Sequence, residues 1–257
     1  MQRLDRLLLE QGLCATRTQA QNAIHSGRVR LYAPNAQGVS SWQTVTKPGL
    51  KLPESAQLEV TPDPADRFVS RGALKLAGAL EALSLDVSGM TALDVGQSTG
   101  GFTDALLQSG VSRVVGVDVG HDQLHPKLKA DPRVTGLEGV NARALPIDSL
   151  HAAIEPELGF DLIVMDVSFI SQTLILPGLP QLLKPSGHLI SLVKPQFEVG
   201  REHVGKGGIV RDTQCYQQVK TRIIERCETL GLNVQHWMES PIQGGDGNRE
   251  FLLYAQK

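Results

Sequence analysis

Apolar positions follow two different patterns along the chain, one in about the first 60 residues and one beyond them. In the first part, leucines recur at helical spacing near the N-terminus, and Thr16 is a candidate N-cap for a second helix. The segments 29–32 and 58–60 then alternate as short strands do. We therefore expect a small α+β domain over residues 1–60.

Beyond that part, strand-like apolar runs alternate with helix-like segments. The runs are 92–95, 114–117, 134–137, 162–165, 189–193, 234–237 and 251–254. Such alternation predicts a mostly parallel seven-stranded sheet with helices on both faces. Because 61–66 contains two prolines and no apolar periodicity, we interpret it as a linker. Residues 67–257 are then a doubly wound, Rossmann-like α/β domain.

Charge and composition narrow the class of protein. The formal net charge of the 257 residues is −2, yet residues 1–60 hold seven basic and four acidic side chains. Any surface that attracts nucleic acid is therefore expected near the N-terminus. Three cysteines without a close pair give no zinc site, and no run reaches the roughly 18 apolar residues of a membrane helix. With no visible signal peptide, we expect a cytoplasmic protein that binds no metal and no membrane.

A glycine-rich turn follows the first strand of the larger domain. Its sequence is D-V-G-Q-S-T-G-G-F-T-D, beginning at Asp94. Ser98 replaces the middle glycine of a dinucleotide fingerprint, which argues against a nicotinamide cofactor and a dehydrogenase. Asp118 ends the next strand, where its carboxylate can accept hydrogen bonds from ribose hydroxyls. This arrangement suits an adenosyl ligand, although Asp94 could instead cap a turn and the glycines could serve helix packing.

An acid in the first strand, a G-x-x-x-G turn and an acid after the second strand together resemble the S-adenosylmethionine-dependent methyltransferases. The resemblance implies S-adenosylmethionine as the cofactor. Asn141, after the third strand, is a further candidate contact to the adenine ring. The candidate cofactor-binding residues are Asp94, Gly96, Ser98, Thr99, Gly100, Gly101, Phe102, Asp118 and Asn141.

Four charged residues lie at the edges of apolar elements. Lys75 lies in the first helix of the larger domain, Asp166 and Lys194 each end a strand, and Glu250 opens the last one. Removing an isolated charge from water costs several kcal/mol, so charges at such positions are usually paired or functional. Two purely structural ion pairs are the alternative interpretation.

The order Lys75, Asp166, Lys194, Glu250 resembles the K-D-K-E tetrad of the FtsJ-like (RrmJ-type) ribose 2′-O-methyltransferases. The first 60 residues, with R-L-D-x-L-L from Arg3, resemble an S4 RNA-binding domain. Together with S-R-G-A-L-K-L, V-D-V-G-H-D-Q-L and L-V-K-P-Q-F-E, these motifs make the whole chain resemble the TlyA family, some of whose members are labelled haemolysins.

That resemblance implies methylation of ribosomal RNA, in the class of rRNA (cytidine-2′-O)-methyltransferases, with the four tetrad residues as the catalytic set. We expect Lys194 to take or direct the hydroxyl proton, Asp166 to orient Lys194, and the other two to complete the positioning. The candidate RNA-binding residues are Arg3, Arg6, Arg17, Arg28, Arg67, Arg71, Lys206 and Arg211.

Two residues depart from the family's usual form. Gln97 stands where a small residue is common, next to the expected cofactor, and Asp122 stands where glycine is common. Two other functions are alternatives, a membrane-active cytolysin and an RNA-binding adaptor without catalysis. The intact tetrad argues against the adaptor, and the lack of a long apolar run or signal peptide argues against the cytolysin.

Overall fold

The chain folds as two compact units, Met1–Arg67 and Phe68–Lys257. The computed structural model describes residues 1–35, 37–154, 159–244 and 247–257. In this part of the chain, no helix is both long enough and apolar enough to cross a bilayer.

The first unit is a small α+β domain. It contains the strands β1 (Gln2–Arg3), β2 (Val29–Pro34), β3 (Ser40–Thr44), β4 (Lys51–Leu52) and β5 (Leu58–Val60) and the helices α1 (Leu4–Glu10) and α2 (Arg17–His25). The hydroxyl of Thr16 accepts a hydrogen bond from the Gln19 amide at 3.1 Å, which confirms the predicted N-cap. Side chains of both helices and of β2, including Leu4, Ile24 and Val29, are buried in one apolar cluster.

The segment that we interpreted as a linker, 61–66, is folded against the rest of the first unit. The Arg28 guanidinium donates to the Thr61 carbonyl at 3.0 Å and to both carboxylate oxygens of Asp66, at 2.8 and 3.2 Å. Asp63 accepts a 2.8 Å hydrogen bond from the Ala65 amide, which supports a 3₁₀ turn there. Hydrogen bonds to Asp63 and Asp66 thus order this segment, whose two prolines predict a linker.

The second unit is built on a seven-stranded sheet in the order β11-β12-β10-β9-β6-β7-β8. Its strands are β6 (Thr91–Val95), β7 (Arg113–Asp118), β8 (Val134–Glu138), β9 (Phe160–Met165), β10 (Leu183–Val193), β11 (Asn233–Glu239) and β12 (Phe251–Gln256). Its helices are α3 (Ala73–Leu83), α4 (Gly101–Gln108), α5 (Pro126–Lys129), α6 (Ile147–Ala152) and α7 (Thr213–Thr229). Strands β6 to β10 pair in parallel and β12 pairs antiparallel to both neighbours, which confirms the predicted fold class.

Apolar clusters lie on both faces of this sheet. One cluster includes Leu76 of α3 and Leu106 of α4, and the other includes Val219 and Ile223 of α7. The sheet therefore has helices on each face, as the continuous apolar runs predicted.

The strand order fixes where a ligand can bind. From β6 the chain proceeds to β7 and β8 on one side of the sheet, whereas β9 and β10 lie on the other side. In open α/β sheets, ligands bind at the carboxyl ends of the strands, where the order reverses. Here that position is the end of β6 and β9, which the glycine turn and Asp166 follow.

Candidate active site

Two short lysine–carboxylate pairs lie at the carboxyl edge of the sheet. The Lys194 amine is 2.6 Å from an oxygen of Asp166, with 12% and 21% of the two side chains exposed. The Lys75 amine is 2.6 Å from an oxygen of Glu250, and this pair is buried more deeply. Each predicted lysine therefore has a predicted carboxylate as its partner.

Strand registers make the two pairs neighbours. In the antiparallel pairing of β10 and β12, Val193 lies opposite Phe251, so the next positions are Lys194 and Glu250. On its other side β10 pairs in parallel with β9, whose end carries Asp166. The three strand ends thus bring these three charged residues to one edge, and the ion pair adds Lys75 from α3.

Lys194 has a second partner that sequence reasoning missed. Its amine donates to the hydroxyl of Ser168 at 2.8 Å. Ser168 follows Asp166 by two residues in the loop after β9, so one loop supplies both contacts. The amine is consequently held from two directions, by a carboxylate and by a hydroxyl.

The glycine turn after β6 requires glycine because the neighbouring strand end is so close. Gly96 has φ of +87°, and a Cβ there would lie 2.4 Å from the carbonyl oxygen of Asp166. Gly100, at φ of +91°, is the N-cap of α4. The turn 96–101, which we call the glycine cradle, therefore packs its bare backbone directly against the end of β9, next to Asp166.

Asp118, the expected ribose acceptor, bridges two backbone amides. Its carboxylate accepts from the Ser98 amide and from the Gly120 amide, both at 2.7 Å. Each carboxylate oxygen can accept about two hydrogen bonds, so capacity for ribose hydroxyls remains. Asn141 accepts a 3.0 Å hydrogen bond from the Arg143 amide, so its side-chain carbonyl closes a turn.

Two of the predicted cofactor contacts have buried side chains instead. Asp94 is fully buried and accepts a 2.7 Å hydrogen bond from the hydroxyl of Thr103. Burial raises the pKa of Asp94 to about 7, and this hydrogen bond only partly offsets the effect. Phe102 packs in the apolar cluster that includes α3. We therefore assign both side chains a supporting role under the turn.

Gln97 belongs to the same buried group. Its amide donates to Thr103 at 2.9 Å, and its side chain occupies the space above Gly116 of β7, where a Cβ would lie 2.0 Å from the Gln97 amide carbon. Because Gly116 has no side chain, β7 leaves room inside the domain for the side chain of Gln97. Asp122 has φ of +54°, in the left-handed region, which explains why glycine suits that position.

A buried carboxylate ties the loops after β9 and β10 together. Glu198 accepts from the Gln172 amide at 2.8 Å and the Ser171 hydroxyl at 2.7 Å, and Arg222 of α7 donates to it at 3.2 Å. Burial raises the pKa of Glu198 in spite of these contacts. One loop carries Ser168 and the other begins at Lys194, so Glu198 joins the two segments that hold the Lys194 amine.

An exposed aromatic ring lies in the same loop. Phe169 is 90% exposed and has φ of +65°, an unusual conformation for a bulky residue. Its ring centroid lies 5.0 Å from that of Phe197, in the loop after Lys194. The two rings form an apolar surface, and Phe169 directly follows Ser168 in the chain.

The predicted RNA-binding side chains differ in how much they are engaged. Arg3 and Arg17 are largely exposed, and each is held at 3.0 Å by the fully buried carboxylate of Asp5. Arg28 is mostly buried in its pairing with Asp66, so we omit it from the proposed RNA surface. The remaining predicted positions are exposed: Arg6, Arg67, Arg71, Lys206 and Arg211.

One buried side chain holds the glycine-rich loop that carries Lys206. Asn248 is buried, accepts from the Val210 amide at 3.1 Å and donates to the Gly208 carbonyl at 2.9 Å. Asn248 precedes Glu250 by two residues, so this loop is tied to the segment that carries a tetrad member. Within the described ranges, no three side chains of His, Cys, Asp or Glu form a metal-ligand group.

Comparison with known proteins assigns both units. A family model described as FtsJ-like methyltransferase matches residues 68–257, and a model of the S4 domain matches residues 2–31. The chain is 39% identical over 254 residues to the 16S/23S rRNA (cytidine-2′-O)-methyltransferase TlyA of Mycobacterium tuberculosis, covering 99% of this chain and 89% of that protein. It is 35% identical over 252 residues to Hemolysin A of Brachyspira hyodysenteriae, covering 98% of each.

A solved structure agrees with these matches. A protein of Streptococcus thermophilus whose name includes the word hemolysin superposes with a TM-score of 0.73 at 41% identity. The match covers 100% of this chain and 88% of the other. The likeness therefore extends over both units.

The second unit is an FtsJ-like methyltransferase domain, and S-adenosylmethionine is its cofactor. The glycine cradle and the Asp118 carboxylate fit the adenosyl part of that molecule. The chain belongs to the TlyA family, in which an S4 domain precedes this methyltransferase domain. The resemblance stated from the motifs is confirmed.

Asp94 should make stability depend on pH in a defined window. A carboxyl with a pKa of 3.8 when unfolded and about 7 when folded binds its proton more tightly in the native state. Its contribution is therefore lost as pH rises from about 4 to 7, at up to about 1.4 kcal/mol per pH unit. Asp94→Asn should gain stability relative to the wild type across that window, measured by urea unfolding. A difference that stays constant with pH would contradict this assignment.

Glu198→Ala should destabilise the second unit by about 1 to 3 kcal/mol, because it leaves the buried Gln172 amide unpaired and removes an acceptor from the Ser171 hydroxyl and from Arg222. Glu198→Gln keeps an acceptor oxygen and should retain more than half of the lost stability. Glu202→Ala, at an exposed carboxylate nearby, is the matched control and should have little effect. Urea denaturation compares the three variants, and equal stability of Glu198→Ala and Glu202→Ala would refute the role of the network.

Proposed function

We propose that this chain methylates a ribose 2′-hydroxyl of ribosomal RNA, with S-adenosylmethionine as methyl donor. The observation that carries the proposal is the Lys194 amine, held at 2.6 Å by Asp166 and at 2.8 Å by Ser168 beside the glycine cradle. The printed name of the Mycobacterium tuberculosis relative, an rRNA (cytidine-2′-O)-methyltransferase, supports this substrate class. Ribosomal subunits are then the partner, and the cytoplasm is the place of action.

The main task of the protein is to activate the hydroxyl. When bound, S-adenosylmethionine supplies an electrophilic methyl group, so that an O–C bond forms as the S–C bond breaks and the hydroxyl loses its proton. A ribose hydroxyl is barely acidic at neutral pH, and a lysine of ordinary pKa, about 10.4, is already protonated. The ion pair of Lys194 and Asp166 can accept one further proton. We therefore assign removal of the hydroxyl proton to these two side chains together.

The other two tetrad residues position the first two. Glu250 neighbours Lys194 across the β10–β12 pairing, and its partner Lys75 balances its charge. An unpaired carboxylate next to the Lys194 amine would compete with Asp166 for it. We therefore propose that Lys75 keeps Glu250 occupied and thereby leaves Lys194 directed at Asp166 and the substrate.

Exposed cations supply the grip on RNA in this proposal. In the S4 domain, the Asp5 carboxylate pairs with both Arg3 and Arg17. Arg6 is exposed nearby in α1. In the methyltransferase domain, Lys206 and Arg211 flank a loop anchored through Asn248. Contacts of this kind hold phosphates without reading the base sequence.

Lys194→Ala should lower methylation of ribosomal subunits by about 10²- to 10⁴-fold, the usual contribution of general acid–base catalysis. The affinity for S-adenosylmethionine, measured by calorimetry, should change little because the cradle is intact. The control is Lys184→Ala, which removes a lysine on the same strand that pairs with Asp161 at 3.0 Å. Methyl transfer is followed with tritiated S-adenosylmethionine, and wild-type activity in Lys194→Ala would sink the assignment.

Phe169→Ala should weaken the use of RNA without affecting the cofactor. We propose that the exposed ring stacks on the base of the nucleotide whose ribose reaches Lys194, and such stacking contributes about 1 to 3 kcal/mol. The ratio kcat/KM for RNA should fall about 5- to 150-fold and recover in Phe169→Tyr. Leu174→Ala, which removes another exposed apolar side chain, is the control. An unchanged kcat/KM in Phe169→Ala would refute the stacking.

A further inference from the structure

The N-terminal sheet carries two exposed aromatic rings that the proposed function does not use. Tyr32 of β2 lies directly opposite Trp42 of β3, and their ring centroids are 5.4 Å apart. The two residues are 42% and 39% exposed, so they do not belong to the small apolar core of this unit. The opposite face of the sheet carries the buried Val29, which packs in the cluster with α1 and α2. The aromatic pair is thus on the outward face.

A cation lies on the same face. The Arg30 guanidinium is 5.7 Å from the centroid of the Trp42 ring. Its carboxylate partner, Glu59, is 3.6 Å away, and both side chains are about half exposed. An exposed ion pair of this length contributes little to stability, so Arg30 can exchange Glu59 for a phosphate.

The chemistry of this face favours unpaired nucleotides over other partners. Proteins bind single strands by stacking bases on aromatic rings beside a cation that meets the backbone, whereas a duplex hides the faces of its bases. Residues 1–60 also hold seven basic against four acidic side chains, which attracts a polyanion. The matched S4 model ends at residue 31, so Tyr32 and Trp42 lie outside it.

We propose that Tyr32, Trp42 and Arg30 form a base-stacking site for an unpaired nucleotide of RNA. The base stacks on the Trp42 ring, Tyr32 fixes the orientation of that ring, and Arg30 meets a flanking phosphate. The site belongs to the first unit, whereas the tetrad belongs to the second, and it takes part in no chemical step. It rests on the proposed function only in that RNA is the substrate class.

Trp42 provides its own probe. The chain has two tryptophans, so Trp237→Phe leaves Trp42 as the single indole. The full-length variant is titrated, without S-adenosylmethionine, with a single-stranded ten-nucleotide oligocytidylate and with an RNA duplex of equal length. We expect saturable quenching of Trp42 emission by the single strand and little by the duplex. Lys194→Ala in the same background should give the same quenching, which separates this site from catalysis.

Affinity measurements test the same site. By fluorescence anisotropy of the labelled oligonucleotide, Trp42→Ala should weaken binding about 5- to 150-fold, the range for loss of one stacked base. Trp42→Phe should restore most of the affinity, and Val39→Ala, which removes a 62% exposed apolar side chain, should bind like the wild type.

Three results would overturn the proposal. The first is binding of the oligonucleotide without quenching of Trp42, and the second is equal quenching by single strand and duplex. The third is unchanged RNA affinity in Trp42→Ala combined with reduced methylation of intact subunits, which would identify this face as a protein-binding surface. Loss of methylation in Lys194→Ala with normal quenching in the same protein would leave both proposals standing.

Discussion

Lys194 and Asp166 form an ion pair, 2.6 Å apart, at the carboxyl edge of the sheet, and the proposed proton transfer requires it. A charge largely removed from water costs several kcal/mol unless it is paired, so neither residue is stable there alone. Each ends a different strand, and only parallel neighbours bring those ends together. The fold therefore brings the two side chains together, and the proposed removal of the hydroxyl proton depends on their pairing.

Much of the fold could be predicted from the sequence because buried parallel strands are continuous apolar runs. The seven runs gave the seven strands, and the charged residues that stop two of them, Asp166 and Lys194, gave the edge of the site. Motif resemblance supplied the pairing partners, which periodicity alone cannot. The structure joins Lys75 to Glu250 and Lys194 to Asp166, and their catalytic roles stay predictions.

The sequence did not predict the direction in which several side chains point. Asp94 and Gln97 flank the cradle in the sequence, yet both point into the interior and meet at Thr103. Arg28, a predicted RNA-binding residue, is paired with Asp66, in the segment whose prolines predict a linker. In the sequence, Glu198 is only the last residue of a motif, because its partners lie 24 to 27 residues away, in the loop after β9 and on α7.

The position of the transferred methyl group shows whether a ribose hydroxyl is the nucleophile. Ribosomal subunits are incubated with the protein and tritiated S-adenosylmethionine, and the RNA is then hydrolysed in alkali, which needs a free 2′-hydroxyl to cut the adjoining phosphodiester bond. A site in which Lys194 and Asp166 activate that hydroxyl predicts label in an alkali-stable dinucleotide. Label released in mononucleotides, on a base, or recovered in protein would contradict the account.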